Sequence, residues 1–139
     1  MKKILIITLV CMILCFTACS ARLPYDLEGT DSIEIHAYGN ESAEPVAEFV
    51  VKGEDTERIV EMFSSLKLKE MKYTEPSIRG YEFWFMDENG SNISKIELPY
   101  GPSPWVVVGG TAYQDINGGV DVVYLTQLVD IASTAGSME

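Results

Sequence analysis

Tyr81-Glu82-Phe83-Trp84-Phe85-Met86 runs directly into Asp87-Glu88-Asn89-Gly90, and Ile93, Ile96 and Leu98 follow. Successive side chains of a strand point to opposite faces, and bulky rings suit a pleated surface, so the aromatic run is the strongest strand in the chain. It sets Tyr81, Phe83 and Phe85 on one face and Glu82, Trp84 and Met86 on the other. Asn-Gly tolerates positive φ at both central positions, which predicts a tight hairpin with Ile93, Ile96 and Leu98 on the returning strand. A hairpin at this point commits the middle of the chain to antiparallel pairing, because parallel neighbours need a long crossover instead.

The remaining segments extend the same pattern. Ile33, Ile35 and Ala37 alternate with Glu34, His36 and Tyr38; after a turn rich in Gly39, Asn40, Ser42 and Pro45, Val46 to Val51 forms the partner strand. Asp55 is placed to cap a helix in which Ile59, Met62, Phe63 and Leu66 make one apolar stripe. Leu66-Lys67-Leu68-Lys69 returns to alternation, and Trp105–Val108, Gly109-Gly110 and Thr111–Tyr113 read as a second hairpin. From Asp121 to Ser133, Leu125, Leu128, Val129 and Ala132 recur at helical spacing, with a strand over Val120–Tyr124 as the competing assignment. The order is β-β-α-β-β-β-β-β-α. It predicts an α+β domain over 32–133, with a mainly antiparallel sheet of five to seven strands and two helices on one face. Residues 134–139 are expected to form a tail.

The N-terminus obeys different rules. Met1-Lys2-Lys3 precedes an apolar run from Ile4 to Ala18 that is broken only by Thr8 and Thr17. Fifteen helical residues span about 22 Å, short of the ~30 Å hydrocarbon core. Two lysines before a short run of this kind form an export signal. The run inflates the composition: without residues 1–19 the chain is about 42% apolar, ordinary for a soluble domain. The remainder holds eight basic residues against twenty-one acidic ones, a formal charge of −13. Such a chain repels nucleic acid and anionic polymers and favours cationic partners or solubility.

Phe16-Thr17-Ala18-Cys19 resembles the lipobox of bacterial lipoproteins, with Phe16 where leucine is usual. The resemblance covers residues 1–20. It implies a signal peptide over 1–18, and an acylated Cys19 that becomes the new N-terminus and anchors the domain at the extracytoplasmic face of the cell membrane. Cys11 and Cys15 would leave with the signal, so Cys19 would be the mature chain's one cysteine and no internal disulfide could form. Residues 20–31, with Pro24 and Gly29, lack periodicity and are expected to be a tether. Tether, hairpins and terminal helix together are similar to small uncharacterised lipoproteins of Gram-positive bacteria, a resemblance that implies no activity.

Chemistry-bearing constellations are sparse. His36 is the single histidine, Gly101-Pro102-Ser103-Pro104-Trp105 departs from a nucleophile elbow at its last position, and neither a P-loop nor a dinucleotide fingerprint is present. His36 is expected to face solvent beside Glu34 on its strand. Asp115, Asn117 and Asp121 place oxygens at alternating loop positions as calcium ligands do, but an acid at the twelfth position is missing; the alternative is a Gly-rich turn with Asp121 as helix cap. Trp84, Tyr100 and Trp105 are the candidate binding residues, provided that they meet in an exposed patch. No cofactor is expected. The expectation is a lipid-anchored module that binds an envelope protein or ligand. The alternatives are a small envelope enzyme using paired carboxylates and a ligand-binding accessory of a transporter.

Overall fold

The structure, a computed structural model, describes residues 22–39, 43–72, 78–100 and 105–136. The segment expected to be a signal, Cys19 and the residues around Pro76 and Ser103 lie outside these residues. Among the described residues seven strands and two helices follow in the expected order: β1 (Ser32–Tyr38), β2 (Pro45–Lys52), α1 (Glu54–Ser64), β3 (Leu68–Glu70), β4 (Ile78–Met86), β5 (Asn92–Tyr100), β6 (Trp105–Val108), β7 (Thr111–Asp115) and α2 (Val122–Gly136). The strands form one sheet in the order β2-β1-β4-β5-β6-β7-β3, and every pairing among the described strands is antiparallel. The molecule is therefore α+β, as its hairpins require.

Both helices cover one face. Phe63 of α1 is fully buried and meets Phe83 and Phe85 of β4 edge-on, with ring centroids 5.1 and 5.7 Å apart. Ile33, Ile35, Ile96 and Val106 complete this layer, and Leu125 and Leu128 of α2 close it. The α1 stripe is buried as its spacing predicts. Its cap differs. Gly53 precedes the helix without a side-chain cap bond, and Asp55 is the second helical residue. The Asp55 carboxylate instead accepts the Tyr124 hydroxyl at 2.6 Å, which ties α1 to α2. Arg58 strengthens that tie, its guanidinium carbon lying 3.7 Å from the Tyr124 ring centre. Helix, not strand, wins at Val122–Tyr124, where the Asp121 carboxylate accepts the Tyr124 N–H at 3.0 Å. Tyr124 and Leu125 then bury while Val122 and Val123 face out.

The turns correct one expectation. Asn89 does not adopt positive φ; among the described residues only glycines do, Gly90 at 76° included. The Asp87 carbonyl accepts the Gly90 N–H, and the Asp87 carboxylate accepts the N–H groups of Asn89 and Ser91. This wider turn, with a glycine in the left-handed region at its end, is the three-residue solution. The tight two-residue turn lies at Gly109-Gly110, where both φ values are positive and Val108 pairs with Thr111. Gly90→Val should cost about 1–3 kcal/mol, because a β-branched residue resists the left-handed region. An unchanged midpoint in urea would contradict the turn.

The segment read as tether is partly packed. Tyr25 donates its hydroxyl to the Phe63 carbonyl at 2.8 Å and sets its ring edge-on to Phe63, and Leu27 is buried in the core. The apolar side chains at 25 and 27 are the physical reason: they find the end of α1 uncovered. Any free spacer therefore lies before this docked stretch. At the other end α2 continues to Gly136, past the expected boundary at 133.

Candidate functional site

The face of the sheet opposite the helices carries the polar residues of the strands. Antiparallel register puts His36 of β1 across from Glu82 of β4, and Glu34 across from Trp84. On the other side of β4, Trp84 lies across from Lys95 and Glu82 from Glu97 of β5. One connected cluster results. The Glu82 carboxylate accepts the Tyr38 hydroxyl at 3.1 Å and lies 3.2 Å from the Lys95 ammonium. Lys95 also reaches Glu97 at 3.0 Å. His36 places Nε2 2.8 Å from Glu34 and Nδ1 3.8 Å from Glu82. The Arg79 guanidinium sits over the Tyr38 ring.

Burial sorts these groups. Glu82 is 8% exposed, unusual for a carboxylate, and stays there because its oxygens meet a hydroxyl and an ammonium. Burial by itself would pull Lys95 down, but hydrogen bonds to Glu97 and Glu82 hold it above the ordinary lysine range. His36 is not the solvent-facing residue expected from alternation: its side chain is 18% exposed, between Glu34, Glu82 and Trp84. Nε2 is within hydrogen-bond distance of Glu34, whereas Nδ1, 3.8 Å from Glu82, is not. The chemistry of this arrangement is cross-strand attachment, with an exposed rim at Glu34 and Glu97.

The three aromatic candidates separate. Trp84 takes the outer face but is no open platform. The His36 ring lies 6.3 Å away and the Lys95 ammonium 4.8 Å from its centre, while its indole N–H is buried without a partner among the described residues. Trp105, half-buried on β6, shares that face. From strand spacing it lies roughly 16 Å from Trp84, two strands across and four residues along. Tyr100 belongs to the other face, its ring 6.1 Å from that of Tyr81. Burial, and then Tyr81, raises its hydroxyl's pKa. A single patch of Trp84, Tyr100 and Trp105 is therefore not formed, because alternation along β5 turns Tyr100 towards the helical side.

The calcium candidates turn to the backbone. Asp115 is 4% exposed and accepts the N–H groups of Asn117 and Val120. Asn117 accepts the Lys67 N–H and donates to the Ser65 carbonyl. Asp121 caps α2 and lies 3.4 Å from Arg58. These bonds make a structured turn that joins β7 to α2. Among the described residues no group of three or more His, Cys, Asp or Glu could hold a metal.

Sequence reasoning missed Tyr38, Arg79, Glu82, Lys95 and Glu97 as a cluster. Part of it was within reach: a turn centred on Asn89-Gly90 already sets Trp84 opposite Lys95, the register observed. The pairing of β1 with β4 had no local signal.

The buried tyrosines give the molecule an alkaline limit. Burial foremost, and a neighbouring carboxylate second, raises Tyr25 (Asp115), Tyr38 (Glu82) and Tyr124 (Asp55). Unfolded tyrosine titrates near 10, so above about that pH the unfolded chain loses protons the folded one keeps. Stability is thus complete below about pH 10 and falls as pH rises further. Urea midpoints measured from pH 8 to 11 should drop on the alkaline side, and a flat profile would contradict the burial of these hydroxyls.

Compared with protein-family models, curated proteins and solved structures, the chain matches none.

Proposed function

We propose that this chain is a lipid-anchored binding module of the bacterial cell envelope, held through Cys19 and presenting the open face of its sheet to another envelope protein. The anchor rests on the lipobox-like Phe16-Thr17-Ala18-Cys19. Two acyl chains hold a domain far better than one, at about 0.8 kcal/mol per buried CH₂.

The observation that carries the presentation is the path of the N-terminal segment. Leu23, Tyr25, Leu27 and Glu28 line a groove with Val60 and Ser64 of α1, so the chain enters the domain from the helical side. An anchor attached there leaves the helix-free face pointing outward. That face is also suited to protein contact by its charge. Glu34, Glu48, Glu82 and Glu97 occupy its strand positions together with Lys52, Lys69, Lys95 and Arg79, a balance of signs in a chain of net charge −11. Acidic residues concentrate instead on α1, at Glu54, Asp55, Glu57 and Glu61. A face of mixed charge suits a partner whose own charges alternate in complement to it.

Two experiments test the two halves. Metabolic lipid labelling should mark the full chain and vanish in Cys19→Ser; labelling that persists in the variant overturns the anchor. A photo-cross-linking residue at Glu97 on the outer face, compared with one at Gln127 on the exposed side of α2, should capture an envelope protein from intact cells. Capture from Gln127 alone, or equally from both positions, overturns the choice of face.

A further inference from the structure

The two edges of the sheet are unlike. At one end β3 has three residues, and Lys69 and Glu70 are exposed, the usual way of blunting an edge. At the other end β2 runs for eight residues as Pro-Val-Ala-Glu-Phe-Val-Val-Lys. Among the described residues β1 is its one neighbour in the sheet. Val46 and Val50 on its outer side are 64% and 57% exposed. β2 also carries charges, exposed Glu48 and Lys52, and its Val51 carbonyl accepts the Thr56 hydroxyl at 3.1 Å, but a strand of this length with exposed valines at the edge of a sheet is a template for another strand.

We infer that this edge docks a second copy of the chain, β2 against β2, antiparallel and centred on Val50. The choice of occupant comes from the charges. Side chains opposite each other in an antiparallel pair must share a face, which restricts the register to steps of two residues. A register centred on Glu48 sets like charges against each other, and one centred on Phe49 sets Glu48 opposite the partner's Val50 and Lys52 opposite the partner's Val46, leaving both charges without a counter-charge. The register centred on Val50 sets Glu48 opposite the partner's Lys52 and Lys52 opposite the partner's Glu48. It also puts Phe49 opposite the partner's Val51, and Val50 opposite the partner's Val50. Each charge that would repel a misaligned strand is neutralised in this alignment. Pro45, and the register shift between Ala37 and Tyr38 that faces it, lie beyond the overlap.

Geometry adds a second argument. Antiparallel pairing of one strand with its own copy places the two-fold axis perpendicular to the sheet, an isologous contact. Both helical layers then lie on one side, as do both N-terminal segments docked on α1. Two copies joined in this way attach to a common surface, and their outer faces merge into one continuous face.

Cysteine cross-linking in the full chain tests this. Directly opposed Cα atoms of an antiparallel pair are close enough for a disulfide. Under mild oxidation, Val50→Cys should give a covalent homodimer several-fold above the parent chain, whose own Cys11, Cys15 and Cys19 set the background. Val46→Cys, outside the overlap, should stay at that background. Glu48→Lys added to Val50→Cys should abolish the dimer, and the exchange Glu48→Lys with Lys52→Glu should restore it. Restoration separates the interface from a folding defect. A Val50→Cys dimer at background, an equal yield from Val46→Cys, no response to the charge exchange, or an adduct with a different protein would each overturn the inference. None of these results depends on which protein meets the outer face.

Discussion

Replacing Phe63 by alanine is expected to cost about 3–5 kcal/mol, the usual range for deleting a fully buried aromatic ring. Phe63 has 0% exposure and joins three elements, because its ring meets Phe83 and Phe85 of β4 and Tyr25 of the N-terminal segment. Alanine would leave a cavity where α1 crosses the sheet and would also strip the cover from Tyr25. Single domains are stable by only about 5–15 kcal/mol, so this change alone removes a large share. Urea unfolding of the purified variant measures it. Val46→Ala, on an exposed position, should stay within about 0.5 kcal/mol and serves as the comparison. A loss below about 1 kcal/mol for Phe63→Ala would mean that α1 is not seated on β4 as described.

Glu82→Ala should be the most damaging substitution on the outer face, at about 2–3 kcal/mol. The buried Tyr38 hydroxyl would lose its acceptor, which costs about 1–3 kcal/mol when no other partner is found. The loss of the ion pair adds less than a fully buried pair would. Lys95 is about one-third exposed and keeps Glu97 at 3.0 Å, so solvent and the second carboxylate make up part of the difference. Glu82→Gln, which retains an acceptor for Tyr38, should cost about half as much or less. A spectroscopic titration supplies an independent readout: without the Glu82 charge, Tyr38 should ionise at lower pH than in the parent, though burial keeps it above an exposed tyrosine. If both variants match the parent in stability and in that titration, the cluster does not hold the outer face together.

Much of this molecule is legible without coordinates. The helix stripe Ile59, Met62, Phe63 and Leu66 buries as a 3.6-residue period demands, and Tyr81, Phe83 and Phe85 bury as a two-residue period demands. Errors fall where local rules compete. Asn89-Gly90 promises a two-residue turn, but the Asp87 carboxylate offers two backbone N–H groups an acceptor and a wider turn forms. Asp55 looks like a cap and becomes the acceptor for a tyrosine 69 positions away. Trp84, Tyr100 and Trp105 share ring chemistry, yet strand parity and the distance between β4 and β6 keep them apart.

Periodicity and hairpin turns are local properties, which is why the order of elements and the α+β class follow from the sequence by itself. The neighbour of each strand does not. That β1 pairs with β4, and that the chain crosses from β2 at one edge to β3 at the other, depends on which apolar faces bury each other best across the whole domain. The cluster around Glu82 exists only because of that choice. A carboxylate on β4 finds a histidine and a tyrosine from β1 on one side and a lysine from β5 on the other, and no local pattern encodes both contacts at once.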